Sequence, residues 1–324
     1  MKLENKNHTV RDIIVVGFAL FAMFFGAGNV IFPPYLGVEA GPDWIKGFSA
    51  YFIADIGLAM LTVFALLRVG SSEAVTARLG RIPAAVLMSA LILCIGPMVA
   101  IPRTAATTFE MAIVPNISGV SSVVFSILFF ALILFLCIRQ SAVVDIVGAI
   151  LTPLLLIGLA VIIVKGIATP LGEISLTPNA DNVVLGGIKA GYQTMDALAA
   201  LNFGAVIALN IQAVGITEEA AVRRGTIRAG LIAGGMLLVV YAMLGHAGAE
   251  TGTVYPGLAT GAEVLTALAQ QLFGRAGLVL IAAIFVIACF NTCVGLIACV
   301  GQYFHQLLPR IPYPAIAAFF AVAS

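Results

Sequence analysis

The sequence predicts an all-α membrane protein, and two observations lead to this fold class. First, 61% of its residues are hydrophobic and only 10% are charged, whereas about a quarter of the residues in a soluble globular chain are charged. Second, the apolar residues are gathered in blocks of about twenty or more, the length that a helix needs to cross a hydrocarbon core of about 30 Å. Runs such as 127–138 and 278–290 are apolar on every side, which excludes the alternating strands of a β-barrel.

Hydropathy, together with Gly, Pro and charged residues at the block ends, predicts about eight complete spans in a single domain covering residues 1–324. The spans are expected near residues 12–36, 44–69, 82–109, 118–138, 142–166, 186–211, 226–248 and 276–304. A ninth begins near Tyr313, but the apolar run from there to Ser324 is too short to cross a bilayer. We therefore expect further C-terminal spans, missing from this sequence, in the whole protein.

The basic residues predict the orientation, because Lys and Arg resist translocation. An N-terminus in the cytoplasm puts most of them on the cytoplasmic side and leaves Lys46, Lys165, Lys189 and Arg275 outside. We expect a multi-pass protein of the bacterial inner membrane. The net charge is +1 and no basic groove is formed, so nucleic acid is not an expected partner.

The first span contains the most informative segment, in which Gly26, Gly28 and Asn29 interrupt an apolar helix and Pro33-Pro34 follow. Glycine and asparagine are poor helix formers, so this segment is expected to unwind. Unwound backbone at membrane depth is tolerated only where protein or a water-filled cavity satisfies it, which predicts a binding site. The alternative is a glycine-rich face that lets a neighbouring helix approach closely.

The peptide groups freed by such a break indicate the ligand. The half-helix beginning near Asn29 presents N–H groups suited to a carboxylate, and the half ending near Phe25 presents carbonyls suited to Na⁺ or an ammonium group. The sixth span repeats the pattern with Asp196 and Asn202 in an apolar run. Interrupted spans at positions one and six are typical of an inverted repeat of five helices each, with the site between them.

Four segments carry a family resemblance: FAMFFGAGNVIFPP, GPMVAIPRTAATTFE, GYQTMDALAALNFG and CFNTCVG. They closely resemble the branched-chain amino acid:cation symporter family of bacteria, and the match runs over essentially the whole chain. The resemblance implies a Na⁺-coupled carrier of leucine, isoleucine and valine with about twelve spans and the leucine-transporter type of inverted 5+5 helix repeat. It implies no cofactor beyond Na⁺ as the coupling ion.

The resemblance also implies ligands for sodium. One ion would bind the backbone carbonyls of Ala22, Phe25 and Cys289 and the hydroxyl of Thr292. The next position is Cys293, a poor ligand for a hard cation, and the part played by Asn291 there is left open.

A second sodium ion nearer the substrate would use Asn29 and the Phe24 carbonyl, with Thr194 or Asp196 from the sixth span. The substrate carboxylate would meet the N–H groups of Ala27 and Gly28, and Asp196 is counted among the substrate-binding residues. The apolar wall around the substrate side chain would be formed by Phe24, Met98, Ile101 and Phe203.

Arg103 and Glu110 lie seven residues apart on one face of the third span, so Glu110, or Asp55 of the second span, is expected to neutralise the arginine. This pair is interpreted either as a gating salt bridge or as a structural pair near the outer interface.

Three other functions compete with sodium-coupled transport. A proton-coupled carrier of another small apolar amino acid remains an alternative because Asp196 or Asp55 can take a proton, although every histidine lies at a span end or in a tail. A passive channel would need a continuous polar path rather than polar residues clustered at two breaks. An enzyme is not expected, because neither a GxSxG nor an HExxH motif is present.

Overall fold

A computed structural model describes residues 4–69, 76, 79–117, 119–138, 151–201 and 218–324. No strand occurs in these ranges, and the all-α class is confirmed for them. The helices are α1 Glu4–Phe24, α2 Ala27–Ala40, α3 Trp44–Phe52, α4 Leu58–Val69, α5 Arg81–Leu93, α6 Ala100–Thr108, α7 Ser122–Cys137, α8 Thr152–Ala168, α9 Val183–Gln193, α10 Glu219–Val254, α11 Gly261–Phe273, α12 Arg275–Leu307 and α13 Tyr313–Ala323.

Several of these helices have the length and composition of membrane spans. Among the described residues, four helical stretches are long and apolar enough to cross a membrane: Ala27–Val69, Ile82–Ile113, Ala220–Val254 and Arg275–Leu307. The first of them contains a turn at Gly41, whose φ of 51° lies in the left-handed region that favours glycine. Shorter apolar helices match other predicted spans, whereas residues 142–150 and 202–211 of the predicted spans lie outside the described residues.

The first span is broken where the sequence predicts a break. Helix α1 ends at Phe24 and α2 begins at Ala27, with Phe25 and Gly26 between them. Gly26 has extended backbone angles, φ −107° and ψ −174°. Helix α2 then runs through Pro33 and Pro34 to Ala40, a few residues beyond the predicted end of the span.

The second and third spans contain wide π-type turns. One joins α3 to α4 at Ile53–Gly57, and another follows α6 at Phe109–Ile113. Before α6, the segment Cys94–Met98 contains a kink at Gly96, whose φ of −84° and ψ of −116° are not helical. A π turn holds one residue more than an α turn, so it changes which side chains face the interior. These turns are frequent at functional sites, and Asp55 lies within the first of them.

The sixth span is also interrupted. Helix α9 ends at Gln193, and the chain is helical again over residues 196–201. Between them Met195 has a φ of 65°, which costs a non-glycine residue roughly 1–2 kcal/mol. The break at residues 194–195 therefore lies directly before Asp196, the first of the two polar residues that predict it.

Helix α2 packs backbone to backbone against α10. A Cβ atom built on Gly37 would overlap the carbonyl oxygen of Gly245, and one built on Gly248 would overlap the carbonyl oxygen of Pro34. Small residues allow this approach, which is a common way to associate helices in a membrane. The glycines of this part of the chain thus have two roles, because Gly37 allows close packing against a neighbouring helix and Gly26 lies in the unwound segment.

Helix α9 packs against α3 in the same manner. A Cβ atom on Gly187 would overlap the carbonyl oxygen of Gly47, and one on Gly191 would lie 2.5 Å from that of Tyr51. This contact brings the end of α9 beside the π turn that follows α3. Thr194 and Asp55 are neighbours as a result.

The chain after α10 forms another helix, α11, Gly261–Phe273. One face of this helix is buried, including Val264 and Leu268. Its first residue, Gly261, lies against the backbone of Ile31 in α2. Helix α11 therefore covers α2 on a side that α10 leaves open.

Candidate functional site

The break in the first span leaves peptide groups without helical partners. The Gly26 N–H donates to the Phe24 carbonyl at 3.0 Å and to Asn29 Oδ1 at 3.2 Å, and so it does not reach back to Ala22 as in a continuous helix. The last carbonyls of α1 and the first N–H groups of α2 lack intrahelical partners, as at any helix end. Both kinds of group therefore face each other at one place in the protein interior.

Asn29 connects the two broken spans. Its Oδ1 accepts the hydrogen bond from Gly26, while its Nδ2 donates to Asp196 Oδ2 at 2.7 Å. The same Nδ2 lies 3.5 Å from Asp55 Oδ2. The structure thus brings together Asn29 and Asp196, two residues that the sequence assigns to one site.

Thr194 completes this arrangement. Its hydroxyl lies 2.8 Å from Asp55 Oδ1 and 2.6 Å from the Gly191 carbonyl, which is freed by the end of α9. We call Asn29, Asp55, Thr194 and Asp196 the polar cluster. Its members are between 0% and 7% exposed, so two carboxylates are enclosed side by side in an apolar interior.

Two tyrosines near the polar cluster are missed by sequence reasoning. Tyr51 and Tyr241 are fully buried, with ring centroids 5.8 Å apart, and both hydroxyl groups point toward the cluster. Neither hydroxyl finds a hydrogen-bond partner of standard geometry. The only signal for Tyr51 is its position four residues before Asp55, which puts both on one helix face.

Arg103 faces the polar cluster from α6. Its Nη1 donates to the Gln193 carbonyl at 2.9 Å, and its guanidinium lies 5.8 Å from the ring centroid of Phe32. It is near enough to Asp196 for the two charges to interact, but they form no ion pair within 4.0 Å in the described part of the chain. A Cβ atom on Gly28 would lie 3.2 Å from Nη2, so the arginine lies over the first turn of α2.

The expected pairing of Arg103 with Glu110 or Asp55 does not form among the described residues. Glu110 lies in the π turn at Phe109–Ile113 and lines a groove against α7 instead. Asp55 takes its hydrogen bond from Thr194. The arginine is held by a backbone carbonyl instead, the one that the break after Gln193 releases.

The residues expected around the first sodium ion lie close to the same break. A Cβ atom on Gly26 would lie 2.8 Å from Thr292 Oγ1, so the Thr292 hydroxyl meets the break directly. That hydroxyl donates to the Ala288 carbonyl at 3.0 Å, which leaves its lone pairs for another partner. Phe25 and Cys289 are fully buried and Ala22 is partly buried.

The donor set fits a hard monovalent cation better than a transition metal. Within the described residues, no group of three or more His, Cys, Asp or Glu side chains is placed to hold a metal ion. The groups near Gly26 are carbonyl and hydroxyl oxygens, which hard cations prefer.

The expected apolar wall is assembled only in part. Phe24 and Ile101 are buried, but they belong to two separate apolar clusters, one around α1, α2 and α10 and the other around α6, α7 and α12. Met98 is 68% exposed and lies directly after the kink at Gly96. Phe203 lies outside the described residues.

A family model described as branched-chain amino acid transport protein matches residues 9–324. The chain belongs to this family. Both interrupted spans and the polar cluster lie inside the matched region. With its several apolar helices, this member of the family is a multi-pass membrane protein.

Relatives support the assignment over nearly the full length of the chain. The branched-chain amino acid permease BraB of Bacillus subtilis is 35% identical over 322 residues, which cover 97% of this chain and 72% of BraB. The branched-chain amino acid transport system 2 carrier protein of Pseudomonas aeruginosa is 38% identical over 319 residues, 97% of this chain and 72% of the relative. The branched-chain amino acid permease BrnQ of Escherichia coli K12 is 37% identical over 306 residues, 92% of this chain and 69% of BrnQ.

These relatives are named as permeases and carriers, which are transport proteins and not enzymes. The family assignment therefore agrees with a site that binds a ligand between interrupted helices. It also agrees with the absence of the two hydrolase motifs from the sequence.

Proposed function

We propose that this protein is a secondary active symporter that imports leucine, isoleucine and valine together with Na⁺. The observation that carries the proposal is the hydrogen bond from Asn29 to Asp196, which joins the breaks of the first and sixth spans. Discontinuous helices of this kind supply the peptide dipoles that bind substrate and ion in transporters. The names of the relatives, branched-chain amino acid permeases and carriers, support the substrate class.

The amino-acid backbone is proposed to bind at the start of α2. The N–H groups of Ala27 and Gly28 are the first of that helix, so they meet the α-carboxylate at a positive dipole end. Asp196 offers the negative charge that suits the α-ammonium group. Phe24 and Ile101 remain candidates for the wall around the branched side chain, and Phe203 remains one by sequence alone.

Sodium is proposed to bind beside Gly26, on the Ala22, Phe25 and Cys289 carbonyls and the Thr292 hydroxyl. The support is the position of Thr292 Oγ1 against the break and the free lone pairs of that hydroxyl. A second ion site is proposed at Asn29 and Thr194 with the Phe24 carbonyl. Because the polar cluster holds two buried carboxylates, an additional positive charge there offsets an unfavourable electrostatic energy.

The transport mechanism is proposed to be alternating access. Sodium that binds better to the substrate-competent state shifts the protein toward that state, so ion and substrate bind with positive and reciprocal coupling. The two breaks fit a leucine-transporter type of inverted 5+5 repeat, in which one helix bundle moves against the other around the site. The N-terminus is placed in the cytoplasm and the protein in the inner membrane, as the distribution of Lys and Arg favours.

Uptake of radiolabelled leucine into proteoliposomes tests the proposal. An inward Na⁺ gradient is expected to drive accumulation, with isoleucine and valine as competitors, and choline in place of Na⁺ at fixed pH is expected to abolish it. Uptake that is indifferent to Na⁺ but follows an inward proton gradient would favour the alternative of a proton-coupled carrier. The two buried carboxylates of the polar cluster are the observation behind that alternative.

A further inference from the structure

Arg103 is a partly buried arginine that forms no ion pair with a described residue. Among the described residues its hydrogen bond runs from Nη1 to the Gln193 carbonyl, and its charge acts on Asp196 from beyond ion-pair distance. Its Nε is shielded from solvent and has no hydrogen-bond partner. A partly buried guanidinium gains from a direct anionic partner, so this arrangement is suited to binding an anion.

The surroundings of Arg103 add a second source of positive charge. Nη2 lies over Gly28 in the first turn of α2, 3.2 Å from the position that a Cβ atom would take. The helix N-terminus and the guanidinium thus present positive charge to the same space. Phe32 borders that space and holds the guanidinium in place through its ring face.

Two further polar groups lie on the side of the site that carries the carboxylates. The hydroxyls of Tyr51 and Tyr241 are fully enclosed and face Asp55 and Asn29, at geometries outside the standard hydrogen-bond limits. A hydroxyl can donate and accept, so both are placed to orient a polar group that binds beside the carboxylates.

We infer that Arg103 is a substrate-binding residue that holds the α-carboxylate of the amino acid together with the first N–H groups of α2. The opposite side of the same space carries Asp196, so the substrate zwitterion lies with its ammonium group toward Asp196 and its carboxylate toward Arg103. This inference rests on the proposed amino-acid transport and differs from a gating or structural role. It predicts that the protein recognises the carboxylate by a charged, fork-shaped donor.

The test compares leucine with leucinamide, which keeps the side chain and the amino group but lacks the carboxylate. Sodium-dependent binding of radiolabelled leucine to the purified protein is measured with each compound as competitor. The wild type is expected to prefer leucine by about ten- to hundredfold, and Arg103→Gln is expected to reduce that preference to about threefold or less. Arg103→Lys keeps the positive charge but not the fork-shaped arrangement of donors, so its preference for leucine over leucinamide is expected to lie between those of the wild type and Arg103→Gln.

Arg275→Gln is the matched control, because Arg275 is exposed at the start of α12. It is expected to leave the preference for leucine unchanged. If Arg103→Gln weakens leucine and leucinamide equally, so that their ratio keeps its wild-type value, the arginine has only a structural role and the inference is wrong.

A measurement on the wild type keeps the inference testable if the variant does not fold. Phenylglyoxal modifies accessible arginines, and the modification of Arg103 is quantified by peptide mass spectrometry. Saturating leucine in the presence of Na⁺ is expected to protect Arg103 from modification by phenylglyoxal, whereas leucinamide is expected to give no protection. Equal modification with and without leucine overturns the assignment, whereas a wild type without any Na⁺-dependent leucine binding would contradict the proposed function itself.

Discussion

Asn29 and Asp196 are joined by a hydrogen bond of 2.7 Å although 167 residues separate them in the sequence. Each lies directly after a break in its span, at the start of α2 and at the start of the helical segment 196–201. The bond therefore ties together the two places where the helical backbone is open. A substitution at Asn29 therefore removes a hydrogen-bond donor from Asp196 as well.

Replacing Asn29 by Ala is expected to reduce leucine uptake strongly. The substitution removes the donor shared by Asp196 and Asp55 and the acceptor that satisfies Gly26 N–H. An enclosed charged group that loses a partner costs about 1–3 kcal/mol or more, which corresponds to a loss of roughly five- to 150-fold. Initial rates of sodium-driven uptake in proteoliposomes measure the effect.

Asn116→Ala is the control for that variant, since Asn116 only donates to the Ala112 carbonyl within its own turn. Its uptake rate is expected to stay close to wild type. Equal losses in the two variants would mean that Asn29 has no special role.

Replacing Thr292 by Val is expected to raise the Na⁺ concentration needed for half-maximal leucine uptake by about tenfold, because it removes a hydroxyl oxygen at nearly constant volume. Thr292→Ser keeps the oxygen and is expected to restore the wild-type value. Thr226 in α10 is also buried and bonds its own helix in the same way, to the Val222 carbonyl. Thr226→Val should therefore leave the Na⁺ dependence unchanged, and an unchanged dependence in Thr292→Val would remove that residue from the ion site.

Replacing Tyr51 by Phe is expected to separate stability from binding. The enclosed hydroxyl faces Asp55 without a hydrogen bond of standard geometry, so its removal should change the midpoint of thermal unfolding without ligands only slightly. The same variant should bind leucine more weakly in Na⁺, because the ligand loses a hydrogen-bonding group. Thermal unfolding in detergent, with and without leucine, measures both effects.

Tyr303→Phe provides the comparison, because the Tyr303 hydroxyl contacts Ser89 at 3.2 Å and lies near the Ala85 carbonyl. Its removal is expected to lower the unfolding midpoint and to leave leucine binding intact. A fall in stability for Tyr51→Phe as well would show that its hydroxyl is already satisfied.

Replacing Gly37 by Ala is expected to destabilise the protein by about 1–3 kcal/mol, because the new Cβ atom would overlap the carbonyl oxygen of Gly245 and overpacking forces the helices apart. Gly235→Ala in α10 meets nothing within 4 Å and is expected to be neutral. The midpoint of thermal unfolding in detergent distinguishes the two variants. Similar midpoints would contradict the close contact between α2 and α10.

The two breaks were predictable because they depend on local chemistry. Gly26, Gly28 and Asn29 are poor helix formers inside an apolar run, and the chain opens at Phe25–Gly26, beside them. Asp196 was predictable for the same reason, since a carboxylate within an apolar span requires a partner. The sequence also places Asn29 and Asp196 in one site through the inverted repeat, and the structure brings them into contact.

Other parts of the site depend on geometry that leaves no mark in the sequence. A kink at Gly96 precedes the exposed Met98, and Glu110 lies in the π turn at Phe109–Ile113, where it lines a groove against α7. The partner of Arg103 is a backbone carbonyl, and any residue type at position 193 would offer one. Tyr241 comes from a distant helix, so its position beside the cluster depends on tertiary packing alone.

The close contact between α2 and α10 has a consequence for movement. Because Gly37 and Gly248 let the two backbones touch, α2 and α10 would lose that fit if they slid or separated, which favours movement of the two helices as one rigid pair. The two-residue break at Phe25–Gly26 lies at one end of this pair and beside the Thr292 hydroxyl. A cation bound at the break would fix the angle between α1 and the pair, so that a single small ion would set the position of both helices.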